Sequence, residues 1–233
     1  MPDPVVLVEL EPGAADAGGL RRAAYDEILA PSFAPEELFS YEELVADHAI
    51  VVAVREGIVV AVGACDPGEP GGIVLLSYLA ARPGLRGGGL GGAVLAHLGA
   101  RWRSQGAGLV VGEIHDPRCH PEGPDERPAA RVRFYARAGA EVLGPWVQPS
   151  LSPGLPRVPG MLLVSFHRAG RFAGPAVPAA PVVAWVRSYY EASEGASTGD
   201  RGLDELVARY DCADGIPVRP LDAYSSVEPI RFG

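Results

Sequence analysis

The sequence predicts an α/β (α+β) fold: a mixed central sheet in the order β-α-α-β-β-β-α-β-α-β-β over residues 1–168, followed by a C-terminal helical extension over 169–233. Three observations carry this expectation. Short β-branched runs bounded by glycine and proline recur through the first two thirds of the chain. Two stretches of helical period separate the later runs, as a crossover between neighbouring strands requires. After Arg168 the composition shifts toward proline and alanine.

Residues 5–10 read as the first strand. Leu20, Ala24, Ile28 and Leu29 share one side of a helix over 19–29, which Pro31 and Pro35 interrupt. A second helix is expected over 36–47, bearing Leu38, Tyr41 and Leu44. Residues 50–54 and 58–64 are apolar runs joined by Arg55, Glu56 and Gly57, a hairpin signal. A turn at 66–72 leads into a strand at 73–81. Over 90–102, Leu90, Val94, Leu95, Leu98 and Trp102 fall on one helical stripe. Residues 109–115 form the next strand, parallel to 73–81 because a helix lies between them. A Pro-rich loop at 116–127 precedes a helix opened by Pro128 and closed by Gly139. Strands at 141–147 and 161–167 complete the sheet, separated by a loop holding Pro149, Pro153, Pro156 and Pro159. Beyond a Pro/Ala linker at 174–181, residues 182–191 and 203–212 are amphipathic, and the tail from Asp214 has no clear pattern.

Composition narrows the function. With 48% hydrophobic and 21% charged residues the chain reads as a soluble globular protein. A net charge of −9 argues against a nucleic-acid partner, which needs clustered Lys and Arg. No apolar run approaches the ~20 residues of a membrane helix, and the N-terminus lacks a basic region followed by an apolar core. A cytoplasmic protein with no membrane partner is expected. Cys65, Cys119 and Cys212 are odd in number and widely spaced, so no disulfide framework is expected. His115, Cys119 and His120 cluster without a regularly spaced fourth ligand, and the expectation there is a polar loop and no metal.

The chemistry-bearing feature follows Leu79. Residues 85–92 read Leu-Arg-Gly-Gly-Gly-Leu-Gly-Gly and then enter a helix. Unpaired N–H groups converge at a helix N-terminus, its dipole favours negative charge, and glycine lets backbone approach a phosphate. Gly87, Gly89 and Gly92 also satisfy G-x-G-x-x-G, and Glu113 lies 21 residues beyond Gly92, as a dinucleotide-binding fold would have it. That NAD(P) alternative fits poorly, because residues 81–86 intervene between strand and turn and the upstream hairpin is antiparallel.

Residues 78–91, with Arg86, Gly89 and Gly91 at the three defining positions of Arg-x-x-Gly-x-Gly, resemble the acyl-CoA loop of the GNAT N-acetyltransferase family. Residues 133–140, Arg-Phe-Tyr-Ala-Arg-Ala-Gly-Ala, resemble its second signature, and the likeness spans about residues 5–168. It implies acetyl-CoA or another acyl-CoA as co-substrate, with no metal. The pyrophosphate would lie on Arg86, Gly87, Gly88, Gly89, Leu90, Gly91 and Gly92. The pantetheine arm would lie along Leu79, Ala80 and Ala81, in a gap between two parting parallel strands. Tyr135 matches the family's general acid. Many relatives carry an asparagine between the second of those strands and the tyrosine helix; the loop at 116–127 has none, so no further contact is carried over.

Glu113, at the end of its strand, is the candidate base, with His115 next in line; the competing reading pairs Glu113 with Arg131 or Arg133. The acceptor is expected to be a primary amine. Residues 26–47 carry seven carboxylates and no Lys or Arg, which favours a small cationic one, with a protein N-terminus or lysine next. A non-catalytic acyl-CoA-binding module is the alternative from a different class. The stripes of the extension must bury against the chain's own core, a homodimer partner or the acceptor cleft.

Overall fold

In the computed structural model the β-branched runs condense into one eight-stranded sheet with helices on both faces. Residues 4–123, 127–152, 154–195 and 199–230 are described; Pro153 and residues 124–126 of the expected Pro-rich loop lie outside them. The strands are β1 (Val6–Leu10), β2 (Ala49–Arg55), β3 (Ile58–Cys65), β4 (Ile73–Ala81), β5 (Leu109–His115), β6 (Glu141–Gln148) and β7 (Val158–Arg168). They lie in the order β1-β2-β3-β4-β5-β7-β6. The crossover helix makes β4 and β5 parallel, and every other pairing in the sheet is antiparallel. That arrangement is not the parallel sheet of a dinucleotide-binding fold.

The helices are α1 (Leu20–Ala24), α2 (Tyr41–Asp47), α3 (Leu90–Ser104), α4 (Pro128–Arg137), α5 (Ala179–Glu194) and α6 (Arg201–Tyr210). α3 and α4 cover one face, packing on Val51, Val74, Val110 and Val164. α1 and α2 cover the opposite face over Ile50, Val52 and Val62. On that same opposite face α5 and α6 cover Leu109, Val111, Leu143 and Leu163.

Two helices differ locally from the sequence reading. The helix expected over 19–29 is α1 continued by a π-turn at Tyr25–Leu29. The helix expected over 36–47 is split into a 3₁₀ turn, Pro35–Glu37, and α2. Ser40 divides them: its hydroxyl caps Glu43 N–H while the Glu43 carboxylate accepts Ser40 N–H at 2.9 Å, a reciprocal capping box.

The tail from Asp214 is also structured over its described residues, to 230, which its sequence did not announce. Short strands β8 (Ala176–Val177) and β9 (Ile216–Pro217) pair with each other, and β10 (Arg219–Pro220) adds to the free edge of β6. Leu221 and Val227 then join the core beneath α4. Among the described residues no helix is long and apolar enough to cross a membrane.

α5 and α6 are docked by polar contacts as well as by area. Tyr190 donates to Val147 O at 2.5 Å and Tyr210 to Pro145 O at 2.6 Å. Arg157, just before β7, bridges Glu194 at the end of α5 and Asp200 at the start of α6. A chain ending at Gly170 should therefore aggregate or melt earlier, because it bares the apolar face of β5–β7. Leu206→Ala, at a fully buried site, should cost about 2–5 kcal/mol in chemical denaturation. A truncated chain that stayed soluble, with its melting temperature unchanged, would contradict this docking.

Candidate active site

The site begins where β4 and β5 separate. They pair from Ile73↔Leu109 to Leu76↔Gly112 and no further. On its other side β4 carries an extra residue: Cys65 lies opposite Leu76 and Ala64 opposite Tyr78, so Ser77 is bulged. A bulge bends its strand and increases the local twist. Across the gap, Phe166 occupies a second register shift, between β5 and β7, and its ring presses on Gly112. A Cβ at Gly112 would stand 2.6 Å from that ring and 3.3 Å from Leu76 O, so only glycine fits.

The separation leaves one edge of β4 bare. Arg82 N–H donates to Val60 O at 2.9 Å, which fixes the alternation of the strand. Ala80 accordingly faces β3, and the main-chain groups of Leu79 and Ala81 face the gap. A cleft of about 560 Å³ runs from this edge along Leu79, Ala80 and Ala81 to Arg86, Gly87, Gly89, Leu90, Gly91 and Gly92. Phe134, Tyr135 and Arg131 of α4 form its other wall.

The glycine loop suits an anion. Gly89 is the N-cap of α3 at φ 77°, with no capping side chain. Helical bonding begins with Ala93 N–H to Gly89 O at 3.0 Å, so the N–H groups of Leu90, Gly91 and Gly92 have no intrahelical acceptor. Gly88 lies beside them in the exposed loop, and Arg86 reaches back to Ser32 Oγ at 3.4 Å.

Tyr135 and Glu113 meet in a narrow slot at the inner end of the cleft, with Ser77, Leu79 and Phe33. The Tyr135 ring is buried, edge-on to Phe134 and Phe166 at 5.0 Å each, and burial raises the pKa of its phenol. Glu113 is half-buried and pairs with neither Arg131 nor Arg133. Its Oε1 accepts Trp146 Nε1–H at 2.5 Å and its Oε2 accepts Tyr189 O–H at 3.3 Å. Desolvation pushes this carboxyl up to about 8, against the pull of those two donors. The charges of Glu37 and Asp66 push it the same way.

His115 is a buried strand residue, not a solvated loop histidine. Its Nε2 lies 2.7 Å from Glu37 Oε1, and its ring stacks on His120 at 4.0 Å. Among the described residues no group of three or more ligating side chains could hold a metal.

Sequence reasoning missed four residues here. Ser77, the one aliphatic hydroxyl in an apolar run, sits 3.1 Å from Nε2 of buried His48. Burial lowers the pKa of that imidazole. Ser77 could have been flagged for breaking the run. Trp146 and Tyr189, 33 and 76 residues from Glu113, carry no local signal.

Because the folded-state pKa of Glu113 lies above the ordinary value of 4.5, the folded chain binds this proton more tightly than the unfolded one. The stability it contributes is full at low pH and is lost as pH rises toward 8. Glu113→Gln should thus gain melting temperature relative to the parent between pH 5 and pH 9. A difference independent of pH would show the carboxyl to be unshifted.

No family model matches the sequence, nor does any curated protein. Among solved structures the chain is similar to a protein described as a GNAT-family acetyltransferase from Bacteroides thetaiotaomicron. The identity is 20%, covering 69% of this chain and 87% of that one, with a TM-score of 0.52. It is also similar to a described GNAT acetyltransferase from Desulfovibrio desulfuricans, at 23% identity over 70% and 96% with a TM-score of 0.45. A third is a GNAT acetyltransferase from Elizabethkingia anophelis with acetyl-CoA bound, at 12% identity over 70% and 97% with a TM-score of 0.49. Likeness at such identities speaks to architecture. Taken with the single parallel pair, its parting and the glycine-opened helix, the first of these comparisons establishes that the chain has the GNAT acetyltransferase fold.

Proposed function

We propose that the chain is an acyl-CoA-dependent N-acyltransferase that moves an acetyl or other acyl group to a primary amine by direct attack. The observation that carries this reading is continuity: the glycine loop, the bare edge of β4 and the slot holding Tyr135 and Glu113 form one path. Residues 1–168 would form the acyltransferase domain and 169–233 a helical cap upon it, in a cytoplasmic setting.

In this reading the pyrophosphate rests on the N–H groups at the start of α3, with Arg86 adding charge, where the backbone and dipole of a long helix favour an anion. The main chain of Leu79 and Ala81 holds the pantetheine arm as a neighbouring strand would, with Ala80 beside it, and so fixes the thioester for attack. When bound, the co-substrate supplies an acyl group on a thiol leaving group. Tyr135, kept protonated by its burial, donates its proton to the departing sulfur. Glu113 takes the proton of the amine. An ammonium entering the slot would offset the desolvation of Glu113 and favour its carboxylate, which matches acid and base at the point of transfer.

A small cationic amine is the acceptor class we favour. The support is now narrower than the acidic run at 26–47 suggested. Asp26 pairs with Arg22, Glu27 with Arg82, Glu37 with His115, and Glu43 caps α2. What remains at the slot is Glu113, with Asp66 as a negative neighbour.

Release of free thiol from acetyl-CoA, followed against a panel of amines, tests the function. Amine-dependent release is expected; tight binding without release would leave an acyl-CoA-binding module. Gly92→Val tests the loop more cleanly than a change at Gly89, whose positive φ would itself be strained. A Cβ at Gly92 meets nothing in the fold, so acetyl-CoA affinity should fall at least tenfold, roughly 1.4 kcal/mol, with the melting temperature unchanged. Unaltered affinity would remove the loop from the cofactor site. Tyr135→Phe should lower turnover by about 10²-fold at near-normal affinity. Glu113→Gln should abolish the acidic limb of the kcat/KM profile, expected near pH 8. A limb that survives that change would put the base elsewhere.

A further inference from the structure

α5 lies outside the strands and helices that form the cleft, yet it touches the group proposed to take the substrate's proton. Trp185 and Tyr189, one turn apart on the same face of α5, stack at 5.4 Å and 20°. Both stack on Trp146 of β6, at 5.7 and 6.4 Å. The polar edges of two of these rings converge on one carboxyl: Trp146 Nε1 on Glu113 Oε1 and Tyr189 Oη on Glu113 Oε2. An indole N–H can only donate, and donors on both oxygens favour the carboxylate over the acid. The grip is rigid, because Val182, Val186 and Tyr190 are fully buried in the same interface and Tyr190 is bonded to Val147 O.

We infer that the C-terminal extension completes the catalytic site, with Tyr189 and Trp146 as positioning residues that hold the Glu113 carboxyl at the floor of the slot. The inference rests on the acyltransferase reading. It also explains why the extension is docked by hydrogen bonds on β6, the strand that carries Trp146. The acceptor must then approach Glu113 from the slot side, past Ser77 and Phe33, because aromatic rings close the other.

The groups that set the charge of Glu113 come from every element around it. Glu37 stands in the 3₁₀ turn and Asp66 after β3; Tyr78 is on β4, and Tyr189 and Tyr190 are on α5. Arg131 and Tyr135 line the slot from α4, and His115 is engaged with Glu37. Of these, Tyr189 alone is bonded to the carboxyl. Tyr189→Phe keeps the ring and the burial and removes that one donor to the carboxylate.

The test follows the full-length chain in two ways: the pH profile of kcat/KM with acetyl-CoA and an accepted amine, and the titration of the Glu113 carboxyl by carbon NMR. Tyr189→Phe should move both to higher pH together, by about one unit, and Trp146→Phe should move them the same way. Val186→Ala, a change to packing alone in the same interface, should lower the melting temperature and leave both in place. The inference is overturned if Tyr189→Phe leaves the carboxyl titration unmoved, or if Val186→Ala moves it equally. It is overturned too if the carboxyl moves while the kinetic limb stays, since the gripped carboxyl would then not be the base. Absence of thiol release by the parent protein would instead sink the acyltransferase reading, whatever the carboxyl does.

Discussion

β4 and β5 run side by side from Leu76 and Gly112 back to Ile73 and Leu109, then part, and the site depends on that parting. A sheet ordinarily satisfies the main-chain groups of an interior strand on both sides, and leaving Leu79 and Ala81 open in the middle of one has an energetic cost unless something pairs with them. The separation is imposed from both flanks. Ser77 inserts an extra residue into β4, and Phe166, itself at a register shift, drives its ring against Gly112. Between those two constraints the sheet holds a vacant strand position that points at the glycine-opened end of α3.

The second constraint is electrostatic. Glu113, at the slot, feels Glu37 and Asp66 as like charges. Such grouping is unfavourable for three carboxylates at once, and the fold answers it unequally. Glu37 is given His115, and Asp66 receives the N–H of Leu75 while burial lifts it to about 6. Glu113 receives only neutral donors and is lifted highest. A carboxyl poised in that way changes charge easily near neutral pH, which is what a proton acceptor for an amine needs. The aromatic stack that supplies its donors comes from α5, so the stability of the C-terminal segment and the state of Glu113 are physically linked.

Much of the fold was legible because its signals are local. The stripe on α3, the hairpin of β2 and β3, the Pro128 start of α4 and the glycine loop all state their conformation within a dozen residues. The break between the 3₁₀ turn and α2 was legible in principle, since Ser40 and Glu43 have capping-box spacing, but the apolar period ran across it. The β10 strand was not legible: Arg219 and Pro220 have no strand character and pair only because the edge of β6 is there to receive them. In the site, Tyr135 and Glu113 stood out by motif and by position at a strand end. Trp146 and Tyr189 did not, because nothing in a sequence marks two residues from distant segments as converging on one carboxyl. The acidic run at 26–47 misled in part, since pairing within the fold consumes much of its charge.

Hydrogen exchange at three amides tests the account at its centre. In the free protein the amides of Leu79 and Ala81 should exchange quickly, being turned into the gap, while that of Ala80, turned to β3, stays protected. Saturating acetyl-CoA should slow Leu79 and Ala81 markedly and leave Ala80 nearly unchanged. If acetyl-CoA binds and the exchange of Leu79 and Ala81 is unaltered, the open edge of β4 is not where the co-substrate lies, and the account is wrong.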